Sequence, residues 1–236
     1  MTSPLPSVPH GRRPMAPCDD RRRLCGQLTV GGNFTSRDRL VIVGNGIAAM
    51  RTLEALLSRV PRHYDVTVIG AEPHPSYNRI MLSAVLAGEK SVDQIATHPH
   101  GWYAKNGVRL LTGHPVAAID PTAKTVSIAG AAAIRYDKLL LATGSKPLAP
   151  PISGLDLPGV QAFRDIADVE AMIAASKRHR RAIVIGGGLL GLEAAWGLKR
   201  RGMSIAVVHL MPTLMERQLD MTAGDLLRRE DRKSVV

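Results

Sequence analysis

Leu40-Val41-Ile42-Val43-Gly44-Asn45-Gly46-Ile47-Ala48-Ala49-Met50 is the stretch that decides how this chain is read. An apolar, β-branched run meets a Gly-x-Gly-x-x-Ala turn, and a helical pattern follows it. Gly44 permits the tight strand-to-helix turn. Gly46 lacks a Cβ and lets a pyrophosphate reach the backbone N–H groups of the helix start, where the helix dipole is positive, while Ala49 allows close helix-on-strand packing. A turn of this kind defines a nucleotide site only in the right surroundings.

Those surroundings extend in both directions. Residues 39–43 are the expected first strand, and Ile47, Met50, Leu53, Leu57 and Val60 make a helical stripe that Pro61 ends. A second strand, Asp65 to Gly70, delivers Glu72, 26 residues past Gly46. A dinucleotide fingerprint calls for an acidic residue roughly 20 residues on, to bind the adenosine ribose hydroxyls, and the loop from Arg59 to Tyr64 accounts for the excess. A solvated loop carboxylate is the alternative reading of Glu72. A helix is expected to begin near Ile80. Val116 to Asp120 and Lys124 to Ile128 read as a small antiparallel hairpin layer. Leu139-Leu140-Leu141-Ala142-Thr143-Gly144 reads as a strand buried on both faces, as in a parallel sheet. Residues 145–158, with four prolines, read as a linker.

A second unit then starts. Ala182 to Ile185 is a strand, Gly186-Gly187-Gly188-Leu189-Leu190-Gly191 is a full Gly-x-Gly-x-x-Gly, and a helix is expected from Leu192 to Arg201. The following strand, Ser204 to Val208, ends at His209, 21 residues past Gly188, where an NAD-preferring site would hold a carboxylate. Protonated, His209 would tolerate a 2′-phosphate; neutral, it selects little. Two fingerprints about 140 residues apart, each with strand, turn, helix and strand in order, predict two nucleotide sites. The expected fold is α/β: two Rossmann-like units with parallel sheets plus the small antiparallel layer. The expected division is a disordered tail over 1–38, the N-terminal part of one nucleotide domain over 39–150, and an incomplete second domain over 151–236.

Composition fits that reading. The 236 residues are 45% hydrophobic, enough for a packed core. The net charge of +11 is spread as +3 over residues 1–38, +6 over 39–227 and +2 over 228–236. No clustered basic stripe or nucleic-acid module stands out, so nucleic acid is not an expected partner. The two cysteines, Cys18 and Cys25, form no disulfide framework or metal spacing, and His98-Pro99-His100 lacks the further ligands a metal site needs. No apolar run reaches the roughly 18 residues of a membrane span. Arg21-Arg22-Arg23-Leu24 is followed by a stretch too polar for an export signal, which leaves a cytoplasmic expectation. Met15 is an alternative start.

The two turns, with an Ala-Thr-Gly strand end between them, resemble the two-dinucleotide-binding family of FAD-dependent pyridine nucleotide oxidoreductases over residues 39 to about 229. The disulfide-reductase branch needs a redox-active Cys pair soon after the first helix, and residues 39–236 contain no cysteine. Tyr77 to Ser83, Tyr136 to Ser145, Gly188 to Ala195 and Leu214 to Asp220 look like the N-terminal flavin module of assimilatory NAD(P)H nitrite reductase large subunits. Ferredoxin and rubredoxin reductases share the first three patterns less closely and often place a Lys where Ala84 stands.

The resemblance implies FAD at Gly44, Gly46, Ala49 and Glu72, with Arg79 touching it, Arg164 nearby, and Ala142, Thr143 and Gly144 beside its pyrophosphate or flavin. It implies NADH or NADPH at Gly186, Gly188 and Gly191, with Glu193 close to the nicotinamide and His209 at the ribose. Asn45, Val116, Leu189 and Leu190 join the cofactor-binding set. A first-turn helix carboxylate for Glu193 and a solvated loop arginine for Arg164 are the plainer readings. The implied reaction is hydride transfer from nicotinamide to flavin, then electron release to a metal centre, with a small subunit or acceptor protein as partner. The cofactors carry that chemistry, so no acid, base or nucleophile is assigned. Siroheme and an iron–sulfur cluster would belong to a missing C-terminal part, since residues 231–236 do not read as a continuation. The alternatives are a ferredoxin- or rubredoxin-reductase-like flavoprotein, and a truncated nucleotide-binding module without turnover.

Overall fold

A computed structural model describes residues 37–234. Most of the tail assigned to 1–38, with both cysteines and Met15, lies outside the described residues.

The opening stretch forms β1 (Asp38–Val43), one residue longer at its start than expected. It lies inside a four-stranded parallel sheet with β2 (Tyr64–Ile69), β3 (Val108–Leu111) and β7 (Lys138–Leu141), in the order β3-β2-β1-β7. Alternation along β1 sends its side chains to opposite faces of the sheet. Leu40 and Ile42 pack with Ala49, Met50 and Leu53 of α1 (Ile47–Arg59) and with Tyr103 of α3 (His100–Lys105). Val41 and Val43 pack on the other side with Val126, Ile128 and Tyr136. These last residues come from or adjoin an antiparallel layer of β4 (Val116–Asp120), β5 (Thr125–Ile128) and β6 (Ile134–Arg135). The sheet is therefore covered by helices on one face and by a second sheet on the other. Burying each Val, Ile or Leu of β1 contributes about 1.5–3 kcal/mol.

Several local expectations need correction. Met50 and Leu53 of the α1 stripe are fully buried, but Ile47 and Val60 are exposed, because Ile47 opens the helix at the mouth of the turn and Val60 follows its last residue. The expected hairpin has a third strand, β6. Strand β7 is not buried on both faces: Leu141 is 59% exposed, because β7 pairs only with β1 among the described residues and nothing there covers its outer edge.

The second unit consists of α4 (Ile166–Arg178), β8 (Arg181–Ile185), α5 (Leu189–Arg200) and β9 (Ser204–Val208), with β8 and β9 parallel. Helix α5 begins three residues earlier than expected, because Gly188 is its N-cap and Leu189 to Gly191 are already helical. A short helix from the first half, α2 (Leu82–Ala87), packs against α4 and α5, and Leu82, Val85 and Leu86 share one core with Ile166, Val169, Ala194, Leu198 and Ile205. The last helix is α6 (Met221–Ser234). The molecule is thus α/β, with two Rossmann-like units, parallel sheets and a small antiparallel layer. Among the described residues, no helix is long and apolar enough to cross a membrane.

Candidate functional site

The two glycine turns are built alike. Gly44 has φ +111° and donates its N–H to the Ile69 carbonyl at 2.8 Å; Gly186 has φ +120° and donates to the Val208 carbonyl at 2.8 Å. Each residue therefore sits in a conformation that side chains rarely adopt, tied to the end of the next parallel strand. A Cβ on Gly44 would lie 2.0 Å from the Ala142 carbonyl oxygen, and one on Gly191 would lie 1.9 Å from the Gly186 oxygen. Those glycines are needed for backbone to pass backbone. The first of these contacts also brings Ala142, Thr143 and Gly144, at the end of β7, onto the first turn.

Gly46 and Gly188 are different. Both are N-caps with extended backbone, φ −87° and −81°, which any residue can adopt, and a Cβ on either would meet nothing within 4 Å. They face open space. Helices α1 and α5 have no side-chain cap and no acidic residue in the first turn, whereas α4 is closed by a capping box between Asp165 and Asp168. The first N–H groups of α1 and α5 thus point, without an internal acceptor, into two open cradles where the helix dipole favours an anion.

Most of the remaining first-site residues are tied into one network of polar contacts. Glu72 is held by two neighbours: Tyr77 Oη donates to Glu72 Oε2 at 2.6 Å, and Arg79 forms an ion pair with Glu72. Arg79 also donates to Tyr77 Oη at 2.8 Å and to the Arg164 carbonyl at 3.1 Å. Burial, reinforced by the Glu72 carboxylate, pushes the Tyr77 phenol above its ordinary range and keeps it a donor. Burial works against the Arg79 charge, but Glu72, Tyr77 and Asp165 together outweigh it, and Arg79 ends above its usual value. The Arg164 side chain reaches Ser145 Oγ at 2.9 Å, beside Gly144, and its N–H is fixed by Asp168 at 2.7 Å. Arg164 is therefore not a free solvated arginine. Ala49 is buried under the turn. Val116, at the start of β4, packs against the core on the far face of the sheet and is only partly covered.

Asn45, between the two glycines, is pinned from outside the motif. Tyr103 Oη donates to Asn45 Oδ1 at 2.7 Å and accepts from the Ser76 N–H at 3.4 Å. The network runs on through Thr97 Oγ1, which donates to Ser76 Oγ at 3.2 Å, to His98, whose Nε2 lies 2.9 Å from Glu54 on α1. The sequence reading missed Tyr103 altogether, since no spacing rule links it to a turn 58 residues away. It also left Tyr77 without a role, although that residue stands inside the Tyr77-to-Ser83 motif.

In the second site Leu189 and Leu190 are the exposed first residues of α5. Glu193, fifth in that helix, belongs to its second turn, so the first-turn reading of this carboxylate is corrected. Burial raises its pKa and a hydrogen bond from Ser83 of α2 opposes the rise. His209 does not stand free at the end of β9: the Gly187 N–H donates to His209 Nδ1 at 3.0 Å, and Nε2 lies 3.1 Å from Glu216. A ring nitrogen that accepts a hydrogen bond carries no proton, so this geometry holds the neutral tautomer with Nε2–H toward Glu216. The Met215 N–H donates to the Gly187 carbonyl at 3.0 Å, stitching the Leu214–Glu216 segment onto the turn. Among the described residues no group of acidic, His or Cys side chains could hold a metal ion.

The fold presents two glycine-turn cradles of the kind found at the start of dinucleotide-binding units. The chain belongs to the pyridine nucleotide-disulphide oxidoreductase family, which it matches over residues 38–236. It is 50% identical over 194 residues to a nitrite reductase [NAD(P)H] of Bacillus subtilis, covering 82% of this chain and 24% of that protein. It is 44% identical over 194 residues to the assimilatory nitrate reductase electron transfer subunit of the same organism, covering 82% of this chain and 25% of that one. The chain thus spans about a quarter of the length of these relatives. Among solved structures it resembles NADH:rubredoxin oxidoreductase from Clostridium acetobutylicum, with a TM-score of 0.74 and 29% identity over 84% of this chain and 52% of that one.

Proposed function

We propose that residues 39–150 are part of an FAD-binding domain and residues 151–236 part of an NAD(P)H-binding domain of an oxidoreductase of the nitrite reductase large-subunit kind. Bound nicotinamide and flavin supply the chemistry, a hydride transfer followed by onward release of electrons. The residues of the chain bind and orient. The N–H groups after Gly46 and Gly188 receive the two pyrophosphates, Glu72 accepts from ribose hydroxyls, Arg79 and Arg164 balance anionic charge, and Ala142 to Gly144 line the first cradle. Glu193 orients the nicotinamide end. Siroheme and the iron–sulfur cluster used to reduce nitrite to ammonia would be held outside residues 39–236, which contain no cysteine. Electrons would leave for that metal centre, for a small subunit or for an acceptor protein, and the cytoplasm is the proposed compartment.

The observation that carries this reading is the contrast among the long helices around the site. Of the four helices longer than ten residues among the described residues, α1 and α5 begin at uncapped glycines facing open space, whereas α4 begins at a complete capping box and the Asp220 side chain caps the start of α6. The test is titration of the full-length protein with FAD, followed by anaerobic addition of NADH or NADPH, since residues 39–236 alone, as parts of two domains, are expected to be inactive. Quenched flavin fluorescence, a yellow protein and bleaching by reduced nucleotide are expected. A chain that stays colourless and takes up no added FAD would overturn the proposal.

A further inference from the structure

We infer that the second site selects the nicotinamide nucleotide with a free 2′-hydroxyl, NADH, over its 2′-phosphorylated counterpart, and that Glu216, held by His209, is the discriminating residue. The inference rests on the proposed nucleotide site at Gly186–Gly191.

A dinucleotide site reads the adenosine ribose at the end of the strand after its glycine turn, where a carboxylate accepts from the hydroxyls and repels a phosphate. In this chain the residue at that place is His209, which suggests a site without such a carboxylate. The structure supplies the carboxylate from a different residue. With Nδ1 accepting from Gly187, His209 has no charge to offer a phosphate, and its remaining proton is directed at Glu216. The Met215 N–H bond to the Gly187 carbonyl fixes the adjoining backbone to the glycine turn. A Cβ on Gly187 would lie 2.6 Å from Leu214 and 2.8 Å from the His209 ring, so the loop is packed tightly under the turn. The Glu216 side chain keeps 31% of its surface, against 15% for His209, and is therefore the accessible member of the pair. A negative charge displaced by one imidazole from the strand end replaces the one the strand lacks. Glu216 accepts from His209 through Oε2, leaving Oε1 for a ribose hydroxyl.

The experiment compares dissociation constants for NADH and NADPH, measured by nucleotide fluorescence on the purified chain and on Glu216→Gln, which keeps size and an acceptor for His209 but removes the charge. The parent chain is expected to bind NADH at least roughly tenfold more tightly, and Glu216→Gln to lose most of that ratio mainly by gaining NADPH affinity. A merely structural role would weaken both nucleotides together. Equal binding, a preference for NADPH arising from the neighbouring Arg217, or an unchanged ratio in Glu216→Gln would each overturn the inference while leaving the nucleotide site standing. Failure of the parent chain to bind either nucleotide would overturn the site, and the inference with it.

Discussion

At the scale of single residues, glycines of one motif do different work, and substitution can separate them. Gly44 and Gly191 are held by backbone contacts that a methyl group cannot share, so any side chain there disrupts the fold. Gly46 and Gly188 have ordinary backbone angles and open space beyond them. Gly46→Asp should therefore fold normally and even gain about 0.3–1 kcal/mol, since its carboxylate caps α1 and complements the dipole. The same carboxylate would occupy the N–H groups meant for pyrophosphate. Thermal unfolding should show an unchanged or raised midpoint, with FAD affinity reduced by roughly a hundredfold or more through like-charge repulsion. Gly188→Asp should do this to NAD(P)H binding and spare FAD. Tyr103 makes the complementary case, acting on the site through Asn45 from a fully buried position. Tyr103→Phe keeps the ring and removes both the bond to Asn45 and the weaker one from the Ser76 N–H; the Asn45 bond is worth about 0.5–1.5 kcal/mol. FAD affinity measured by fluorescence quenching should fall about threefold to tenfold at that energy, with little change in the affinity for NADH. An unaltered FAD constant would mean that the turn holds its shape without the Tyr103 bond to Asn45.

Among elements, legibility in the sequence followed length and local periodicity. Strands β1, β2, β8 and β9 and both long turn-helices could be read because a β-branched run, a glycine pair and a 3.6-residue stripe lie adjacent in the chain. Strand β3, only Val108 to Leu111, and helix α3, six residues long, carry no such pattern. Their places are fixed by tertiary contacts, with β3 pairing β2 and Tyr103 filling the core beneath α1. The candidate site divides in the same way. The glycine turns and Glu72 follow from spacing, and the place of the Ala142–Gly144 strand end from the family resemblance, whereas Tyr77 on Glu72, Tyr103 on Asn45 and Glu216 on His209 arise only when distant segments meet. One such long-range tie belongs to the sheet itself. Arg39 in β1 donates its backbone N–H and two guanidinium N–H groups to Asp137, immediately before β7. Those hydrogen bonds hold the Asp137 carboxyl well below the usual carboxylate range. Because the folded value is lowered, the stabilisation is present above the unfolded value of about 3.9 and is lost as pH falls through the folded value. Asp137→Asn should consequently be less stable than the parent near neutrality and converge on it as pH falls, which flattens the acid limb of the stability curve below about pH 4. Denaturant midpoints measured across that range would check it, and an acid limb as steep as the parent's would refute the assignment.

For the whole molecule, the decisive feature is that the two nucleotide-binding halves do not keep separate cores. Helix α2 belongs to the first half by sequence, yet it packs into the second, where Leu86 lies against Gly197 so closely that a Cβ there would fall 2.7 Å from its side chain. Arg201, just past α5, donates to the Leu86 carbonyl at 2.7 Å and to the Val85 carbonyl at 3.1 Å, closing the C-terminal end of α2 with a cation, as the helix dipole favours. A shared core with a charged clasp couples the halves, so they should unfold together. The chain carries the means to test this, because its two tryptophans report on opposite halves: Trp102 lies in α3 beside His98, and Trp196 lies in α5. In Trp102→Phe and Trp196→Phe, each retaining one reporter, fluorescence should give coincident denaturation midpoints. Arg201→Met should lower both midpoints by the same amount, about 1–3 kcal/mol for loss of charged hydrogen bonds to carbonyls. If the Trp196 signal alone moved, the coupling through α2 would be too weak to make one cooperative unit. Coincident shifts would instead mean that the packing of α2 on α5, and not only the proline-rich segment along the chain, joins the halves into one cooperative unit.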